Sequence, residues 1–164
     1  MTDIHVTGLK ELNEFLTLLP QKVAKNVLRG ALRSGMKEVA VDAKAGAAVA
    51  SGLMRDGLKI STNSKGGKVT ASLKAKGKHG PLAHLIEFGT AAHRIQAKDG
   101  GALSFGGGAL QHVDHPGSRA QPFMRPALDA RASDAVVAAA EYMKERLSSK
   151  HGLDTSDVEI EAQA

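Results

Sequence analysis

Cysteine is absent from the 164 residues. No disulfide framework and no thiolate metal site can form, and a reducing compartment is compatible with the chain. Tryptophan is missing too, and aromatic residues make up only 3%, so a core must be assembled from Leu, Val, Ile and Ala with little help from large rings. No run approaches the roughly 18 apolar residues that a membrane-spanning helix needs. Met1 to Leu12 shows no basic stretch followed by an apolar one, so no secretory leader is expected and the chain is expected to be soluble. There is no internal repeat.

What remains is enough for one domain with a real core, at 42% hydrophobic residues. The expected division is a single domain over residues 1–152 and an acidic tail over 153–164. The net charge of +5 is unevenly placed: 14 Lys or Arg against 6 Asp or Glu from Met1 to Ile86, and 4 acids with no Lys or Arg from Gly152 to Ala164. Such asymmetry fits a polyanion partner, or copies that set a basic face against an acidic one.

Apolar residues recur at helical spacing from Val6 to Leu19, with Thr7 as a plausible N-cap. Pro20 stops that helix and suits the first turn of another, from Gln21 to about Val49. Lys22, Arg29, Arg33 and Lys37 fall on one side of this second helix. Gly30 and Gly35 weaken it by about 1 kcal/mol each relative to Ala, yet permit close packing. Leu58 to Thr62 and Val69 to Lys76 read as a hairpin whose basic outer face (Lys74, Lys76, Lys78) discourages edge pairing. Leu82 to Phe88 fits either a helical turn or a strand; a short helix ending at Gly89 is preferred. His93–Ala97 and Ala102–Phe105 are expected to pair around Asp99-Gly100-Gly101, Gly106–Gly108 to be a flexible link, and Gln111–Asp114 another short strand. The last helix is expected from Pro126 to about Lys150 with Gly152 as its stop, followed by a mobile or partner-bound tail. These elements predict an α+β fold: a small antiparallel sheet packed against a long N-terminal helix and a C-terminal helix, with a long Gly-rich loop or hairpin.

The stretch from Leu82 to Leu128 organises the rest, because Gly and Pro steer the backbone there at fixed points. It contains Glu87-Phe88-Gly89-Thr90, His115-Pro116-Gly117 and Pro122-Phe123-Met124-Arg125-Pro126. Phe88 and Phe123 are expected to be buried anchors, and Arg125 to pair with Glu87.

Catalytic constellations are weak. His112 and His115, with His93 on a neighbouring strand, offer three imidazoles, but Asp114 is the only nearby carboxylate, so a metal site is not expected. Glu87 is the one acid in an apolar stretch and lacks a second titrating partner for acid–base work; such a Glu more often pairs with Arg or accepts backbone hydrogen bonds at a turn. Gly106-Gly107-Gly108 lacks the Lys-Ser/Thr of a phosphate loop, and Ser51, Ser104 and Ser118 sit in no nucleophile elbow. The basic stripe can touch phosphates, but the aromatics of single-strand binders are lacking.

The order Gly8-Leu9-x-Glu11-Leu12, basic helix, Ser51-Gly52-Leu53-x-Arg55, Glu87-Phe88-Gly89-Thr90 and Pro122-Phe123-x-Arg125-Pro126-Ala127-Leu128 resembles the tail-component family of long-tailed bacteriophages, typified by gene product ten of the HK-ninety-seven phage. The resemblance runs from about Val6 to Met143. Ser51 stands where the family usually has Thr, and the loop from Lys98 to Gly117 is long, as in some members only. The resemblance implies a structural virion protein at the neck, acting in tail completion or head–tail joining, with no enzymatic activity and no cofactor. It implies a ring, commonly of six copies, around a DNA channel. Neighbours would be the head-closure or connector ring and the tail terminator or tail tube, with no membrane; the protein would reside in the virion, and in the host cytoplasm during assembly. Gly52, Leu53, Arg55, Glu87, Phe88, Gly89, Thr90, His115, Pro116, Gly117, Pro122, Phe123, Arg125 and Pro126 become structural or interface positions, and Lys22, Arg29, Arg33 and Lys37 DNA-facing ones. The alternative reading is a basic double-stranded-DNA-binding accessory protein.

Overall fold

A computed structural model describes residues 5–47, 52–98, 101–160 and 162–163. The expected α+β fold is present, built on two long helices, α2 (Gln21–Gly46) and α5 (Met124–His151). They run antiparallel, since Gly30 lies against Tyr142, Gly35 against Ala135 and Gly46 against Phe123. Pro20 caps α2, its carbonyl accepting from Val23 at 2.8 Å and Ala24 at 3.1 Å. Residues 48–50, the expected last turn of this helix, lie outside the described residues. Gly152, at φ 64°, ends α5 and donates to the Ser148 carbonyl at 3.1 Å. A left-handed residue is the usual device for satisfying the last carbonyls of a helix.

The preceding helix α1 (Leu9–Thr17) starts later than expected, because Gly8 rather than Thr7 occupies the cap position. The Thr7 hydroxyl donates instead to the Glu159 carbonyl at 3.4 Å. Leu12 and Leu16 of α1 join Val27 and Ala31 of α2, Ala140, Met143 and Leu147 of α5, and Val158 in one apolar cluster. Where a mobile or partner-bound tail was expected after Gly152, Leu153, Thr155, Val158 and Ile160 pack inward. Val158 and Thr155 are buried, the Thr155 hydroxyl donates to the Lys144 carbonyl at 3.3 Å, and Lys144 Nζ donates to the Val158 carbonyl at 2.5 Å. Strand β1 (His5–Val6) pairs antiparallel with β8 (Ala162–Gln163), bringing the two ends together.

A second cluster occupies the other end of the helix pair. Val39 and Ala43 of α2, Met54 of the one-turn α3 (Leu53–Asp56), Leu58 of β2 (Leu58–Lys65), Ala83 of α4 (Gly80–Phe88), and Phe123 and Ala127 at the start of α5 are buried together. The hairpin of β2 and β3 (Lys68–Ala75) is longer than expected, because Asn63–Lys65 and Lys68 belong to the strands. Only Gly66 and Gly67 turn the chain, at φ 58° and 79°, as a two-residue primed turn requires.

The region beyond α4 differs from the sequence expectation. Strand β4 (His93–Gln96) pairs with β7 (His112–His115), and β5 (Leu103–Phe105) pairs with β6 (Gly108–Leu110). The pairing around Asp99-Gly100-Gly101 is thus not formed; Asp99 and Gly100 themselves lie outside the described residues. Gly106-Gly107, expected as a link, is the turn, with φ 55° and 92°. The two pairs are nested between Thr90 and Ser118, which pair with each other, and together they form an arm. Between residues 91 and 120, no residue whose side chain is described is buried.

Candidate assembly site

Three motifs separated in sequence meet at the root of the arm. Glu87, on the last turn of α4, is 8% exposed. Its Oε2 accepts from the backbone N–H of Phe123 at 2.8 Å and Met124 at 2.9 Å, and its Oε1 from that of Arg125 at 3.0 Å. These are orphan donors of the first turn of α5, so a carboxylate from another helix caps it, where the helix dipole also favours negative charge. Burial raises the Glu87 pKa, but the bonds from Met124, Phe123 and Arg125 outweigh it, and the group stays below the ordinary glutamate value. The expected pairing with Arg125 therefore exists through the backbone, not the guanidinium.

Phe123 packs at 3% exposure, whereas Phe88, expected to be buried, is 70% exposed. Ala83 and Glu87, four apart, define the inward face of α4. Phe88 is one residue further round and leans on His84, with ring centroids 5.2 Å apart.

Beyond Phe88, the chain turns at Gly89, φ 71°. A side chain there would meet the Ser118 carbonyl at 2.6 Å and the Ala120 nitrogen at 2.8 Å, so glycine is required. Thr90 and Ser118 then close the root by mutual backbone bonds of 2.9 and 3.1 Å, and the Ser118 N–H also reaches the Thr90 hydroxyl at 2.9 Å. Gly117, φ 87°, lies against the Thr90 carbonyl and donates to His115 Nδ1 at 3.0 Å. That bond makes Nδ1 the acceptor and puts the ring proton of neutral His115 on Nε2. Pro116 lies in this turn, and Pro122 and Pro126 flank Phe123 and Arg125 at the start of α5.

His93 and His115 are cross-strand partners with rings 5.1 Å apart, while His112 faces Gln96. Among the described residues, no three His, Asp or Glu side chains gather as metal ligands would. Arg94 and Asp114 instead form a bidentate pair across the arm at 2.7 and 3.1 Å, which lowers the Asp114 pKa. Both are exposed, so the pair favours register more than stability.

Gly52, Leu53 and Arg55 sit apart from this root, on α3. Gly52 is left-handed at φ 74° and caps the helix, Leu53 is exposed, and Arg55 lies 3.6 Å from Asp56. Met54, which the motif leaves unspecified, is the residue that enters the core. Ser51 lies outside the described residues. Lys22, Arg29, Arg33 and Lys37 are all exposed on α2, and none is in an ion pair among the described residues. Sequence reading also missed Arg131, which ties α5 to α2 by bonds of 2.6 and 3.4 Å to Asp42. An acid and a base 89 positions apart give no local signal.

Residues 10–89 match the family model described as "Bacteriophage HK97-gp10, putative tail-component". Over those residues, about half of its length, the chain is similar to that family. The HK97-gp10 match takes in α1 to α4, with Glu87, Phe88 and Gly89, and stops before the arm and Pro122–Leu128. No curated protein and no solved structure matches the chain. Among the described residues, no helix is long and apolar enough to cross a membrane.

Proposed function

We propose that this protein is a tail component of a bacteriophage, a non-enzymatic structural protein of the neck acting in tail completion or head–tail joining. It assembles as a ring, six copies being the expected number, around the path of the genomic DNA. It contacts the head-closure or connector ring on one side and the tail terminator or tail tube on the other. The HK97-gp10 match carries this reading. The arm supports it, because a two-stranded ribbon is at best marginally stable in water without a further surface to lie on. On this reading the motif residues from Glu87 to Thr90, His115 to Gly117 and Pro122 to Pro126 hold the arm root in position, and Gly52, Leu53 and Arg55 face a neighbour.

The deciding experiment is mass by light scattering, on the purified chain alone and with neck proteins of its phage, followed by imaging of the neck in virions. A closed ring at the head–tail junction is expected; a strict monomer in both preparations refutes the reading.

The exposed basic stripe on α2 favours one alternative, a DNA-binding accessory protein. That alternative requires duplex affinity that falls steeply with salt and is lost in Arg29→Ala/Arg33→Ala. Within the ring reading, the same four side chains face the DNA.

A further inference from the structure

Between the open side of β3, α4 and the start of α5 runs a groove of about 810 Å³, with α2 as its floor. Met36, Leu73, Phe88, Met124 and Leu128 give it an apolar lining, with Lys74 at β3. Leu73 and Lys74 belong to opposite faces of their strand, yet both border the groove. It is therefore the edge of β3 that opens into it, and β2 is the only strand paired with β3 among the described residues. Among the described residues, none of the chain's own arm lines this groove.

The arm has the complementary property. From Gly101 to Gln111 it carries no charged residue. Leu103 and Leu110 face each other across the β5–β6 ribbon, Leu103 half-buried and Leu110 45% exposed. The arm leaves the body at Thr90, two residues after Phe88, which lines the groove. Sixteen positions separate Thr90 from the turn at Gly106, a reach of at most about 55 Å. Each copy thus presents an uncovered apolar tip and an unfilled apolar groove with a free strand edge.

We propose that the groove is the seat for the β5–β6 tip of a second copy of this chain, each arm docking on the next copy. This rests on the ring reading and names the contact that closes the ring. Two different surfaces meeting head to tail make a heterologous interface, the kind that closes by rotation. The open edge of β3 offers backbone partners to the incoming strand, while Lys74 discourages pairing with an unrelated edge.

The test uses the full chain. Leu110→Glu on the tip and Leu128→Glu in the groove replace exposed side chains, so each should leave the melting temperature unchanged and weaken self-association at least tenfold. The exposed Leu18, outside the groove, serves as control, and Leu18→Glu should leave association intact. Because the chain has no cysteine, Leu110→Cys and Leu128→Cys report the occupant. A disulfide-linked pair that forms only when the two single variants are mixed supports the proposal. Self-linked Leu110→Cys would show arm-to-arm pairing, and an internal bond in the double variant would show the arm folding onto its own body; either overturns it. An oligomer whose affinity is unmoved by both glutamate substitutions overturns the seat and leaves the ring standing. A chain that stays monomeric both alone and with the neck proteins of its phage overturns both.

Discussion

Glu87 and Phe123 stand 36 positions apart, yet the carboxylate of one accepts the backbone N–H of the other at 2.8 Å in a buried site. The contact joins the end of α4 to the beginning of α5 across the base of the arm. Whatever the arm does is mechanically referred to this point.

Glu87→Ala leaves three backbone donors without their acceptor and is expected to cost about 2–4 kcal/mol, measured by denaturant unfolding. Glu87→Gln, which keeps one acceptor oxygen, should cost less. The folded-state pKa of Glu87 is lowered, so the unfolded chain takes up the proton first. The stabilisation is full above the unfolded pKa and is lost as pH falls from about 4.3 through the folded value. Subtracting the pH profile of Glu87→Gln from that of the parent should reveal this loss; identical profiles would remove the ionised cap.

Phe123→Ala is expected to cost roughly 3–5 kcal/mol, as aromatic truncation in a core does. Phe88→Ala should change stability by no more than about 0.5 kcal/mol while weakening self-association. Thermal melts and sedimentation on the two variants separate the roles. An equal loss of stability would place Phe88 in the core.

Gly35→Ala tests the waist of the molecule. An exposed helical Gly→Ala gains about 1 kcal/mol, but here the new methyl meets the Ala135 backbone carbonyl. The expected outcome is destabilisation of about 1–3 kcal/mol. Gly30→Ala meets the Tyr142 ring, a side chain that can swing aside, and should cost less. A reversed order in chemical denaturation would refute the close approach.

Removing residues 153–164 exposes Leu12, Leu147 and their neighbours that Val158 covers. A loss of about 2–4 kcal/mol is expected from the area uncovered, read as a lower unfolding midpoint. An unchanged midpoint would restore the picture of a loose tail.

The helices were legible because their ends carry backbone chemistry: Pro20 opens α2, Gly89 closes α4 and Gly152 closes α5. The β2–β3 pair was legible from alternation, although its turn is two residues where a longer connection was expected. The arm was misread because Asp99-Gly100-Gly101 and Gly106-Gly107-Gly108 are both good turn signals, and only pairing beyond them distinguishes which one closes a hairpin. Phe88 was misplaced because a nine-residue helix leaves its rotational phase loosely determined near the last turn. Glu87 was expected to pair with Arg or to accept backbone hydrogen bonds at a turn; it accepts backbone bonds, and what no residue type announces is that they come from the first turn of α5, 36 positions on. The tail was judged by its acidity, whereas Val158 and Thr155 decide its position.

At the waist, Gly35 brings the α2 backbone directly against that of α5, between the two apolar clusters. Contact by main chain leaves no compliant side chain to absorb a displacement, so the spacing there is rigid while the helix ends act as levers. A change of about 5° in the crossing at Gly35 would carry the start of α2, some 21 Å away at about 1.5 Å per residue, through about 2 Å.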